Sequence, residues 1–323
     1  MQQIYKATAY GRREPSNMSP QWPTTDGMTK RERFSAGWTG AVAVGLFVYI
    51  ALAIALILVD GRAWPWLDVF NLYSDSVASI CVAILTGAAA RGSADPGARR
   101  TWWLLTAALA TYSTGNLLHS TYWLYGIDPF PSIGDVFFLG FYPLVLAAVL
   151  TVIRTAAVRV QWARLGLDTA ILMLGFGAFF WFFVIAPTAA AQRDPNALKY
   201  LLAQSYIALN CLMLLACGVL LMHSGATPIR RRALMLLTLG FSSMSLADIV
   251  WAMSKVDGSY IPGSVSDVIY LSCYVWLAAA AREQLRGRPG GRRAPNAFTV
   301  ALIQGMPYIA MMVSFLVLVY VER

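Results

Sequence analysis

Asn116 and Asp248 are the residues most able to do chemistry, because each interrupts a long apolar run. An amide or carboxyl in such a run is costly unless it binds something or is held by a partner. His119 and Trp251 follow one helical turn later on the same face, and Asp135 and Asp267 open the next apolar run in each case. Asn116, His119, Asp248 and Trp251 therefore outline a candidate ligand-binding pocket, with Asp135 and Asp267 at its mouth. A plainer role stands beside this one. Asn116 fits an interhelical hydrogen bond worth ~0.6 kcal/mol, whereas Asp248 fits site and scaffold equally. Asp135 and Asp267 each lie three residues after a serine, Ser132 or Ser264, and follow a proline- or glycine-bearing turn. That is a capping box with Asp replacing Glu, in which the serine oxygen accepts a free backbone N–H and the carboxylate faces the positive helix end.

These residues recur at one spacing. A constant offset of 132 residues relates Asn116 to Asp248, Asp135 to Asp267 and Tyr142 to Tyr274, and it also pairs Arg99-Arg100 with Arg231-Arg232. An internal period of that length implies a duplicated unit. Leu139 and Tyr142, like Leu271 and Tyr274, share a helical face with the aspartates, which reads as a packing stripe.

The elements that must position them are membrane helices. The chain has 323 residues, 58% of them apolar and 13% charged, with a mean hydropathy of +0.57; a soluble chain carries about 25% charge. Nine apolar segments occur at roughly 38–59, 72–90, 102–124, 133–153, 165–186, 198–222, 233–253, 264–281 and 298–320, each near the ~20 residues that cross a bilayer. Arginine clusters follow the second, fourth, sixth and eighth segments, which places them and the N-terminus in the cytoplasm. The expected fold is all-α: a polytopic membrane helix bundle of about nine transmembrane helices. Four segments per period keep both copies in one orientation, giving two parallel four-helix repeats. Residues 1–35 read as a disordered cytoplasmic tail, 36–164 as the first repeat, 165–297 as the second and 298–323 as an extra transmembrane helix. Met28 reads as a start, with an upstream extension before it.

Several function classes fall away. The net charge of +9 lies in short clusters between apolar runs, so it orients the protein and signals no nucleic acid. His119 and His223, the two histidines, sit at opposite depths and cannot share a metal or haem. Cys81, Cys211, Cys217 and Cys273 lie in apolar runs without a Cys-x-x-Cys pair, as buried thiols do. With no phosphate-cradling loop and no nucleophile–base pattern, neither catalytic residues nor a cofactor are expected.

The stretch Pro129-Phe-Pro131-Ser132-Ile-Gly-Asp135-Val-Phe-Phe-Leu139-Gly-Phe-Tyr142-Pro143-Leu144 resembles the multi-span N-terminal membrane region of bacterial cyclic-di-GMP signalling proteins, which precedes their GGDEF and EAL domains. The second copy departs from it at Gly263 and Val275, and the chain contains no GGDEF or EAL sequence. The resemblance implies a sensory or regulatory input module in the bacterial cytoplasmic (inner) membrane, not an enzyme. Its partners would be the lipid bilayer, a small-molecule ligand, a cytoplasmic signalling protein or output domain, and a second copy in a homodimer. Parallel repeats with polar residues in the bundle also describe small-solute transporters, and a plain membrane anchor is the third reading.

Overall fold

The computed structural model describes residues 30–58, 65–127, 129, 131–155, 229–256, 261 and 263–286, with eight further residues between 202 and 216. Six α-helices and no strand occur among the described residues: α1 Lys30–Leu58, α2 Pro65–Gly92, α3 Pro96–Leu124, α4 Ile133–Thr155, α5 Arg231–Val256 and α6 Val265–Leu285. The apolar segments at 165–186 and 298–320, and the tail up to residue 29, lie outside the described residues.

Each helix runs past its apolar segment wherever the flanking residues favour helix. The Lys30-Arg-Glu-Arg run adds a turn to α1, since these side chains have high helix propensity; the last residues of the expected tail are therefore helical. Asp95 starts α3 from an extended conformation, and its Oδ1 accepts the Ala98 N–H at 2.8 Å. Pro96 follows at the first helical position, where its missing N–H costs nothing.

Among the described residues, three helical stretches are long and apolar enough to cross a membrane: Gly37–Ile57, Leu67–Gly92 and Ile133–Arg154. At 1.5 Å per residue the last is about 33 Å long, enough for a hydrocarbon core of ~30 Å. α3, α5 and α6 carry the polar residues singled out above. Their share of polar and charged side chains makes them less apolar than those three stretches.

α2 is the central strut: it packs against α1, α3 and α6, while α4 packs on α3, and α5 on α6. Trp102, Phe141, Leu85 and Tyr274 are among the largest fully buried side chains. Polar contacts tie α2 to α3, Ser120 Oγ donating to the Leu72 carbonyl at 2.6 Å and the Thr106 and Thr86 hydroxyl oxygens meeting at 3.1 Å. Small residues allow close approach. A Cβ on Gly240 of α5 would lie 2.7 Å from Leu277 Cδ2 and 3.3 Å from the Cys273 carbonyl oxygen of α6.

At the arginine-rich end, Arg230 Nη1 donates to the Glu283 carbonyl at 2.8 Å and pairs with its carboxylate at 3.1 Å. Gln284 of α6 reaches Ser93 after α2 at 3.5 Å. The outward faces are apolar; Phe47 of α1 is 61% exposed and Val136 of α4 69% exposed, as suits contact with lipid. Within α4, Pro143 lies in the helix interior. Having no N–H, it leaves the Leu139 carbonyl without its helical partner. The matching position in α6 is Val275, which has one.

Candidate functional site

The site is built from the ends of α3 and α5 and the starts of α4 and α6. α4 and α6 begin at matching positions, Ile133 and Val265, but their caps differ. Ahead of α4, Asp135 Oδ2 accepts both the Ser132 N–H at 2.6 Å and the Ser132 hydroxyl at 3.0 Å. That serine hydroxyl thus donates to the carboxylate, where the capping-box reading has its oxygen accepting a helix N–H. The second oxygen, Oδ1, accepts the hydroxyl of Tyr206 at 2.6 Å.

Ahead of α6, Asp267 Oδ2 accepts the N–H groups of Gly263 at 2.6 Å and Ser264 at 3.3 Å. Gly263 adopts φ 83°, a left-handed conformation that glycine takes without strain. Its counterpart in the first copy is Pro131, which has no N–H to give. This exchange gives the carboxylate a second backbone N–H, beside the capping box expected between Ser264 and Asp267, which is present at the start of α6. The Ser264 hydroxyl pairs with Ser266 Oγ at 2.8 Å, and Ser266 reaches Asp267 Oδ1 at 3.3 Å.

Asp267 also faces Asp75 of α2, near enough for the two carboxyls to interact. One turn before Asp75, the Asn71 amide packs where a Gly263 side chain would begin, its Nδ2 3.1 Å from that position. Asp75 Oδ1 and Asn71 Oδ1 are both sealed from solvent with no hydrogen-bond partner among the described residues. Sequence reasoning missed both. The signal was present, since Asp75 is an ionisable residue inside the second apolar segment.

Asp248 lies on α5 and Tyr270 of α6 donates its hydroxyl to Oδ1. Oδ2 is sealed from solvent and has no hydrogen-bond partner among the described residues. The Tyr142 and Asn210 side chains lie next to the carboxyl, and Tyr112 and Tyr274 are within electrostatic range of it. Asn210 is itself held, its Oδ1 accepting the Ser245 hydroxyl at 3.1 Å and its Nδ2 donating to the Tyr206 carbonyl at 3.2 Å. Tyrosine suits such a place because its ring packs as an apolar body while its hydroxyl supplies the donor that a buried carboxyl needs.

The six residues named from the sequence are thus distributed unevenly. Asn116 Nδ2 donates to the Tyr274 hydroxyl at 3.4 Å, so it stands one tyrosine away from Asp248. Asp135 joins through Tyr206, which is also within range of Asp248. Asp267 joins through Asp75, which in turn influences Tyr274 and Tyr112. His119 stacks edgewise against Trp123 and Phe138, ring centroids 6.5 Å apart in each case. Trp251 is half-buried against the hydrophobic core.

Chemically, the arrangement holds carboxyls on tyrosine hydroxyls away from water. It offers an unpaired carboxyl oxygen to a hydrogen-bond donor or cation. Among the described residues, no three of His, Cys, Asp and Glu converge to hold a metal ion. Comparison with protein-family models, with curated proteins and with solved structures finds no match to this chain.

Proposed function

We propose that this chain is the sensory or regulatory input module of a bacterial signalling system, working in cyclic-di-GMP control from the cytoplasmic membrane. The observation that carries this is the unpaired Oδ2 of Asp248 inside a clamp contributed by neighbouring helices. A small ligand that donates to Oδ2 adds a hydrogen bond to an oxygen that accepts none among the described residues, beside the Tyr142 and Asn210 side chains. Its arrival is felt by Tyr270 directly, and by Tyr142 and Tyr206 through the shared field of the carboxyl. Those three side chains reach α6, the face of α4 and the α4 cap, so the signal enters at one carboxyl and leaves along several helices.

The rest of the reading completes the picture. Nine spans form two parallel four-helix repeats and a further helix, with the N-terminus in the cytoplasm. The output lies in a cytoplasmic signalling partner or output domain, and a homodimer doubles the module. The chain itself performs no catalytic step.

The test is the cyclic-di-GMP content of bacteria producing the chain or Asp248→Ala at equal membrane levels. Production of the unaltered chain shifts the pool, and the variant does not. A pool that matches the empty vector in both strains overturns the reading. The Asp75–Asp267 pair favours the second reading, a transporter, since carboxyls inside a bundle commonly mark ion paths. Proton or sodium flux into liposomes containing only this chain, lost in Asp75→Asn, would replace the sensor by a transporter.

A further inference from the structure

A groove of about 410 Å³ runs between α2 and α3, with Trp38 of α1 completing its lining. Its volume lies within the ~300–1,000 Å³ of ordinary ligand sites. From Trp103 to Leu117 it spans fourteen residues of α3, about 21 Å of helix. That exceeds the ~15 Å depth of hydrocarbon in one leaflet.

The groove is more apolar than its sequence suggests. Thr106, Ser113 and Thr114 line it, yet each turns its hydroxyl onto its own helix. They donate to the carbonyls of Trp102, Leu109 and Ala110 at 2.8, 2.7 and 2.9 Å. Gly87 deepens the groove, for a Cβ there would stand 3.5 Å from Thr106 Cγ2 and 3.9 Å from the Trp103 ring.

One end differs from the rest. Arg91, the single charged residue of the lining, sits over the Trp103 ring at 5.7 Å, and Trp38 of α1 belongs to the same lining. Arg91 is exposed, and so are Arg99 and Arg100 at the start of α3. An arginine among tryptophans at the end of an apolar slot is the arrangement found at the headgroup level of a bilayer. A guanidinium there matches a phosphate with two parallel N–H donors.

We infer that the groove holds one acyl chain of an anionic glycerophospholipid, its phosphate on Arg91. This rests on the groove alone and stands whether or not Asp248 receives a ligand. The headgroup selects through charge; the chain lies along α2 over Gly87.

The experiment is native mass spectrometry of the full chain released from nanodiscs of equimolar phosphatidylglycerol and phosphatidylcholine. The unaltered protein retains phosphatidylglycerol preferentially. Arg91→Ala lowers that preference about fivefold, the effect of one cation at a membrane surface, and Arg91→Lys restores part of it. Gly87→Phe fills the groove and removes the retained lipid, while Arg232→Ala, an exposed arginine on α5, changes nothing. Equal retention of both lipids by the unaltered protein overturns the inference. So does an unchanged preference in Arg91→Ala, or a dimer seated on this face in place of lipid. Should Gly87→Phe not fold, Arg91→Ala decides alone, because it alters only an exposed side chain.

Discussion

The Tyr270–Asp248 contact is strong enough to measure. Tyr270→Phe removes the hydroxyl donated to Asp248 Oδ1, and Oδ2 already lacks a partner, so the variant leaves both carboxyl oxygens unsatisfied. Hydrogen bonds to charged groups are worth about 1.5–3 kcal/mol in soluble proteins. Between membrane helices the average is only ~0.6 and the maximum ~1.7 kcal/mol, because the unfolded chain in the bilayer also finds partners. Asp248 belongs at the upper end of the membrane range, since its carboxyl is held between helices with the Tyr270 hydroxyl on Oδ1 and the Tyr142 and Asn210 side chains beside it. The expected coupling is about 1.5 kcal/mol, slightly more than tenfold in the unfolding equilibrium. The internal control is Asn116–Tyr274, a neutral pair at 3.4 Å. That distance is near the outer limit for a hydrogen bond, so its coupling should stay below ~0.5 kcal/mol. The assay is a double-mutant cycle: Tyr270→Phe, Asp248→Ala and the double variant, unfolded reversibly in mixed micelles and followed by tryptophan fluorescence. Additive single effects, or a coupling no larger than the Asn116–Tyr274 control, would refute the reasoning.

The glycines and the two caps give further expected outcomes. Gly240→Ala should destabilise the fold by ~1 kcal/mol net, because overpacking against the buried Leu277 and the α6 backbone costs ~1–3 kcal/mol and the helix gains at most ~1. Gly45→Ala, which meets nothing within 4 Å, should stabilise by ~0.5–1 kcal/mol; equal signs in the same unfolding assay would be the contrary result. Asp135→Asn should cost ~2 kcal/mol, since that carboxylate gathers the Ser132 N–H and hydroxyl and the Tyr206 hydroxyl. Asp267→Asn should cost only ~1 kcal/mol, because relief from Asp75 offsets part of the lost cap; indistinguishable losses would show that Asp75 does not act on it.

Much of the helical layout is legible in the sequence because apolar runs of membrane length leave little else to form. The helix ends are less so, as they depend on residues such as Lys30 and Pro65 that hydropathy ignores. The repeat pointed to matching starts for α4 and α6, and helices do begin at Ile133 and Val265. The same reliance on repetition hid Asp75. The offset that aligns the two copies pairs it with Ile207, so a singular carboxyl leaves no mark in a repeat. Tyr142 and Tyr274 were legible as a face but not as partners. Periodicity states which side of a helix a residue occupies, whereas the atom it meets there belongs to another helix. Asn210 and Tyr206 lay in an apolar segment with no feature to separate them from ordinary packing residues.

Pro143 gives the two matched helices different mechanical roles. α4 lacks one rung of its ladder at Leu139, while α6 has Val275 at the corresponding place and keeps the rung. A displacement imposed on both helix starts therefore finds one compliant rod and one stiff one. α6 transmits such a push along its length to Glu283 and Gln284, which grip Arg230 and Ser93 at the far end; α4 absorbs it by bending. The two helices are in this sense a lever beside a spring.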